Sequence, residues 1–139
     1  MNEFKQIITQ LPEMAETPFA TVFGKEARVR IMTILKIKEK LYIVTGKQSN
    51  KINELVENSS FETCYCFNEE HPYWNIRLRG KAIIVEDPAF KTEMFNSIEW
   101  IKHYWDKPEH PLFTVVECAV DEIEFNRKDK MEAEIVRKY

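Results

Sequence analysis

The segment Thr45-Gly46-Lys47-Gln48-Ser49-Asn50-Lys51 brings two lysines, two hydroxyls, two side-chain amides and a glycine to the point where a strand pattern gives way to a helix pattern. A helix start offers backbone N–H groups without intrahelical acceptors and the positive end of the helix dipole. A phosphate dianion placed there gains about 0.3–1 kcal/mol when exposed and up to about 2 kcal/mol when partly buried. Lys47 and Lys51 would add charge, and Ser49, beside Asn50, a hydrogen bond. The same residues also describe a helix capped by Ser49 with two solvated lysines, and the segment alone does not separate these readings.

A second constellation lies upstream. Arg28 and Arg30 stand two apart on a predicted strand and therefore share a face, with Met32 next in that row. Arg77 and Arg79 repeat the arrangement later, and such alternation is also what a wet sheet face shows. Cys64 and Cys66 share a strand face too. Neighbours two apart on an extended strand are poorly placed for a disulfide, and no second pair completes a zinc set, so they read as buried thiols. His71, His103 and His110 are dispersed in loop-like contexts, Trp100, Tyr104 and Trp105 read first as packing residues, with a dimer contact or the cover of a planar ligand as alternatives, and Glu69-Glu70 and Asp121-Glu122 read as solvated turns.

The elements that position these residues follow from periodicity. Phe4, Ile7, Ile8 and Leu11 make one stripe of a short helix that Asn2 caps and Pro12 stops. β-branched and aromatic runs predict strands over 18–23, 28–37 and 40–45, then a helix from Ser49 to Asn58 carrying Ile52, Leu55 and Val56. Strands follow over 61–67 and 74–86, with Gly80 placed to bend the second. Asp87-Pro88 opens a helix whose Phe90, Met94, Ile98 and Ile101 recur at helical spacing and which should end before Pro108. A last strand is predicted over 112–125, and the charge-dense tail 126–139 is expected to be peripheral. This order predicts a mainly β domain over 1–139, an antiparallel sheet curled into a barrel with helices at its ends.

Composition narrows the function classes. The chain has 139 residues, 44% of them apolar and 31% charged, which suits one folded domain. Its formal net charge of −3 supplies no global field for nucleic acid or anionic lipid, so any anion site must be local. No apolar run approaches a membrane span, the opening residues match neither a secretory nor a transit signal, and the odd cysteine count suits reduced thiols. A cytoplasmic location, with no nucleic-acid or membrane partner and no metal, is the resulting expectation.

Taken in order, Arg28-Val29-Arg30-Ile31-Met32, Leu41-Tyr42-Ile43-Val44-Thr45-Gly46-Lys47, Ser49-Asn50-Lys51 and Trp74-Asn75-Ile76-Arg77-Leu78-Arg79-Gly80-Lys81-Ala82 resemble the pyridoxamine 5'-phosphate oxidase-like flavoproteins, nearer the short general-stress-protein branch than the biosynthetic oxidase. The resemblance implies a split β-barrel of the FMN-binding type, with a Greek-key-like antiparallel sheet, forming a homodimer with flavin sites at the interface. It implies that Arg30, Lys47, Ser49 and Lys51 hold the FMN phosphate, that the ring lies near Met32, Thr33 and Thr45, and that Arg28 or Arg77 stands near its pyrimidine end. Ile31 stands where the family often has proline, and Asn50 where it often has a second arginine. The implied function is FMN-dependent oxidation or reduction of a small substrate. Pyridoxal phosphate synthesis is not expected, since no counterpart of the oxidase's longer C-terminal segment is recognised. The other class carried forward is a non-catalytic binder or sensor of flavin, deazaflavin, haem or another planar anion.

Overall fold

Along Met14–Phe23 (β1), Thr17, Phe19 and Thr21 turn inward while their neighbours face out, the period of two that lets one face of a sheet enclose a core. In the computed structural model, which describes residues 2–138, β1 is followed by Glu26–Ile37 (β2) and Lys40–Gly46 (β3). Helix Asn50–Glu57 (α2) then leads to Ser60–Cys66 (β4) and Tyr73–Val85 (β5). Helix Pro88–Ser97 (α3) and a 3-10 turn at Glu99–His103 precede Phe113–Arg127 (β6) and Glu134–Arg137 (β7), while helix Glu3–Gln10 (α1) opens the chain.

Every pairing in the sheet is antiparallel, in the order β3-β2-β1-β4-β5-β6-β7, and a further β3–β6 ladder closes six of these strands into a barrel. Three hairpin-linked strands with the fourth returning beside the first form a Greek key, as expected from the sequence. The barrel is filled by residues such as Phe19, Ile43, Phe61, Leu78, Val116 and Phe125. Phe4, Ile7, Ile8 and Leu11 of α1 and its following residue plug one end, and Ile52 and Leu55 of α2 the other. A second cluster, including Leu35, Val44, Met94, Phe95, Phe113 and Val115, lies outside the barrel under α3. Trp100 and Trp105 pack against it.

Several boundaries differ from the sequence expectation for physical reasons. β1 begins four residues before Pro18, because the ladder to β2 runs unbroken from Met14 to Phe23 and the Pro18 carbonyl accepts from the Thr63 hydroxyl. The helix expected to carry Ile98 and Ile101 stops at Ser97, whose hydroxyl donates back to the Glu93 carbonyl, and Ile98 is extended. Ile101 reaches the core from the 3-10 turn instead. The charged tail is not merely peripheral: β7 pairs with β6 over Glu122–Phe125, and ion pairs Arg127–Glu134 and Arg137–Glu122 fasten it. Its alternation covers only a few residues, which is why charge density concealed it.

α1 is held by the β2–β3 hairpin. Lys36 Nζ donates to the carbonyls of Ile8, Thr9 and Leu11, filling acceptors that the end of a helix leaves open. The hairpin turn places Lys38 and Glu39 at φ of 51° and 64°, a left-handed pair that usually calls for Asn-Gly. Glu39 is tied to α1 by the Thr9 hydroxyl. Among the described residues no helix is long and apolar enough to cross a membrane.

Gly80 sits at a register shift between β5 and β6, where a Cβ would stand 1.8 Å from the Ala119 carbonyl oxygen. Backbone on the partner strand cannot rotate away as a side chain can. Gly80→Ala is therefore expected to lower stability by about 3 kcal/mol or more, read as a fall in the urea midpoint. An unchanged midpoint would show that the bulge relaxes.

Candidate functional site

The ladder between β2 and β3 lasts only from Leu35↔Tyr42 to Ile37↔Lys40. Beyond it β3 pairs with β6 up to Gly46, while β2 runs on to Glu26 with β1 as its partner. The two strands part, and each keeps one edge without a strand neighbour. Backbone N–H and C=O groups on such edges are open to a ligand or another chain. Met32 and Thr33 lie on the β2 edge, and Thr45 near the end of the β3 edge.

α2 follows directly from β3, so the sequence that ends one edge also begins the helix at that barrel end. Ser49 occupies the N-cap position, but its hydroxyl makes no capping bond to the helix. It accepts instead from the Thr45 hydroxyl at 3.3 Å, which in turn accepts from Lys51 Nζ at 2.8 Å. The first turn of α2 is therefore left without a side-chain cap; the Ile52 N–H turns back to the Ser49 carbonyl, which leaves the Asn50 and Lys51 N–H groups as the ones an anion would meet. Lys47 and Asn50 are exposed, and the Lys47 backbone N–H donates to the Leu112 carbonyl. Trp105 lies beside Gly46, where even a Cβ would be in ordinary contact with the indole at 4.0 Å.

Arg30 faces inward beside this cluster and is fully engaged in a different way. Its guanidinium donates to Glu54 Oε1 at 2.6 Å and to the Thr21 hydroxyl at 2.8 Å, with a longer contact to the Phe19 carbonyl. Thr21 also donates to Glu54 Oε1 at 2.5 Å. The Thr21 hydrogen bond, followed by the Arg30 hydrogen bond and charge and the charge of Arg28, holds the Glu54 carboxyl below the usual carboxylate range against its burial. Burial holds the Lys51 ammonium below the usual lysine range, the Arg30 charge pushes the same way, and Glu54 partly offsets both. Arg30, Lys51 and Glu54 together leave one net positive charge in a partly dry setting.

The structure thus brings Arg30, Thr45, Ser49 and Lys51 to one barrel end. Arg28 shares the inward row of Arg30 but lies farther out, with its guanidinium 4.9 Å over the Phe23 ring. Met32 packs partly against the core, whereas Thr33 points to the opposite face of β2, so their side chains cannot meet one ligand surface together. Arg77 and Arg79 are elsewhere: on the outer face Arg77 pairs with Glu124 and Asn126, and Arg79 with Glu62, Glu122 and Glu124. That is the wet ion-paired face considered as one reading of the sequence. Cys64 and Cys66, expected buried, are half-buried and exposed on this outer side of β4.

Sequence reasoning missed Glu54 and Thr21. The available signal was an acidic residue between Ile52 and Leu55 on the core-facing side of α2, a place where a charge needs a partner. A cavity of about 680 Å³ lies at the other barrel end, between α1, the β2–β3 turn and β6, and none of the predicted site residues line it.

The family model for "Pyridoxamine 5'-phosphate oxidase like" matches residues 3–136. Among solved structures, general stress protein 26 from Bacillus anthracis is 23% identical with a TM-score of 0.75, covering 98% of this chain and 99% of that one. A NimC/NimA family protein of Clostridium acetobutylicum is 21% identical with a TM-score of 0.73, covering 94% and 86%. A second Clostridium acetobutylicum protein, related to general stress protein 26, is 13% identical with a TM-score of 0.72, covering 97% and 92%. At these identities the likeness shows the fold, a barrel of the same split type. No curated protein matches by sequence.

The Arg30–Glu54 pair yields a pH test. Because the folded Glu54 carboxyl titrates below the unfolded value of roughly 4.3, its contribution is whole above that pH and fades as pH falls through the folded value. Glu54→Gln should cost about 2 kcal/mol at neutral pH, less than the roughly 3–5 kcal/mol of a fully buried pair because Arg30 keeps a quarter of its side chain exposed. The variant should also lose part of the acid-induced fall in melting temperature. Parallel pH profiles for the two proteins would assign that fall to other carboxylates.

Proposed function

Because the chain belongs to the pyridoxamine 5'-phosphate oxidase-like family, we propose that it binds FMN at the parted edges of β2 and β3 and acts as an oxidoreductase on a small substrate. The observation that carries this reading is the uncapped start of α2, with Ser49, Thr45 and Lys51 linked in one hydrogen-bonded chain beside it. A phosphate group fits there by charge and by donor supply. It would receive backbone N–H groups, the Lys51 ammonium and the Ser49 hydroxyl, with exposed Lys47 completing the positive field. Such an anion would also relieve the repulsion that Arg30 exerts on Lys51.

In this reading Arg30 acts as a positioning residue. Its bonds to Glu54 and Thr21 fix α2 against β1 and β2, and so fix the direction in which the first turn points. The Met32 and Thr33 backbone and the end of β3 would orient the flat part of the cofactor along the open edges. FMN, when bound, supplies hydride or electron transfer, so the polypeptide needs no nucleophile or general base for that step.

Val29 and Ile31 support the proposal of a homodimer. They are 69% and 62% exposed on the outward row of β2, next to the unpaired edge, and a second copy covering them would also close the flavin site. Ile31→Glu is then expected to shift the protein from dimer to monomer in light scattering. A wild-type chain that is already monomeric would remove this part of the proposal.

Lys51→Glu tests the cofactor assignment. Placing a like charge beside the phosphate should weaken FMN by about 2 kcal/mol or more, roughly 30-fold in Kd, while riboflavin, which lacks the phosphate, is little affected. Equal FMN titrations for the two proteins would reject the phosphate site. Mass spectrometry of compound released from the purified protein distinguishes FMN from a deazaflavin or haem.

A further inference from the structure

The outer face of β4 carries Cys64 and Cys66 with their sulfurs 3.8 Å apart. This separation is far beyond the ~2.05 Å of a disulfide bond. It is close to the distance between two sulfurs on one tetrahedral centre with bonds of ~2.3 Å. The strand holds the two thiols on one face, so a bridging atom needs little rearrangement to reach both. Cys118, the remaining cysteine, is buried inside the barrel.

The neighbouring strand leaves room for polar contacts beside the two thiols. Cys66 is registered against Asn75 and Cys64 against Arg77, and Asn75 Oδ1 and Arg77 Nε are both buried without a hydrogen-bond partner. Unmatched polar atoms of this kind are uncommon in a finished surface. Burial, then the neighbouring Cys66, push the Cys64 thiol up to about 11, while Arg77 pulls toward the thiolate. A ligand that bonds both sulfurs must therefore displace their protons, and the Arg77 charge favours the thiolate that makes the attack. Among the described residues no group of three or more His, Cys, Asp or Glu side chains gathers, so the ligand must be satisfied with two protein sulfurs and bring its remaining substituents with it.

We propose that Cys64 and Cys66 form a dithiol site for a thiophilic trivalent metalloid of the organoarsenical class. Sulfur is a soft ligand, and a trivalent arsenic already bearing a carbon substituent needs only the two sulfurs this strand presents. With phenylarsine oxide, two arsenic–sulfur bonds form while both S–H bonds and the arsenic–oxygen double bond break. The two protons leave with the oxygen as water, and arsenic stays trivalent, so no oxidant or reductant takes part. The site is separate from the proposed nucleotide site and does not depend on it.

The test uses the full chain, reduced and then treated with phenylarsine oxide, with intact-mass measurement and titration of the remaining thiols. The expected result is a single adduct that removes both outer thiols and leaves Cys118 reactive only after denaturation. The adduct should be lost in Cys64→Ser and in Cys66→Ser and retained in Cys118→Ser. Absence of an adduct on the unmodified sequence, or an adduct that survives Cys66→Ser, overturns the proposal.

Discussion

β3 pairs with β6 from Leu41 to Gly46 but with β2 only from Lys40 to Tyr42, so the barrel closes through β6 while β2 and β3 part beyond Leu35↔Tyr42. This divergence organises the rest of the molecule. It exposes two backbone edges, and it brings the chain out at Gly46 over one barrel end, where it has to cross to β4. α2 is that crossing. Its apolar residues Ile52 and Leu55 plug the opening, and the start of the helix is thereby aimed at the gap the strands have left. Lys51 of the candidate site and the residues that plug the core sit on the same eight-residue helix.

Charge at this end is balanced rather than accumulated. Two cations close together in a partly dry setting would repel each other and destabilise the helix docking. Glu54 prevents this by taking up Arg30, while Thr21 fills a remaining position on the carboxylate. Lys51 is thus the cation left with spare donor capacity, held by a single bond to Thr45. The arrangement separates Arg30, which fixes the geometry, from Lys51, the proposed anion contact, a division that a row of arginines read from sequence does not reveal.

The barrel was legible because its elements carry local signals: β-branched and aromatic runs over 18–23, 28–37 and 40–45, Phe4 to Leu11 along one helical stripe, and Asp87-Pro88 at a helix start. The helix-start cluster was legible for the same reason, since Gly46, Ser49 and Lys51 are local in sequence. What escaped was relational. Glu54 opposes Arg30 only because α2 folds back over β1 and β2, and Arg77 loses its resemblance to Arg30 only because Glu124 stands beside it on β6. β7 was hidden because a short edge strand with charged neighbours carries little periodic signal.

The open edge of β2 has a consequence for handling the protein. A run of unpaired backbone groups flanked by exposed Val29 and Ile31 is a template on which another extended chain can add. With Arg30 taken up by Glu54, Arg28 gives that edge its positive charge, which slows self-association between copies but is screened by salt. The bare chain at high ionic strength is therefore its most aggregation-prone form, and whatever occupies the edge also serves as its solubiliser.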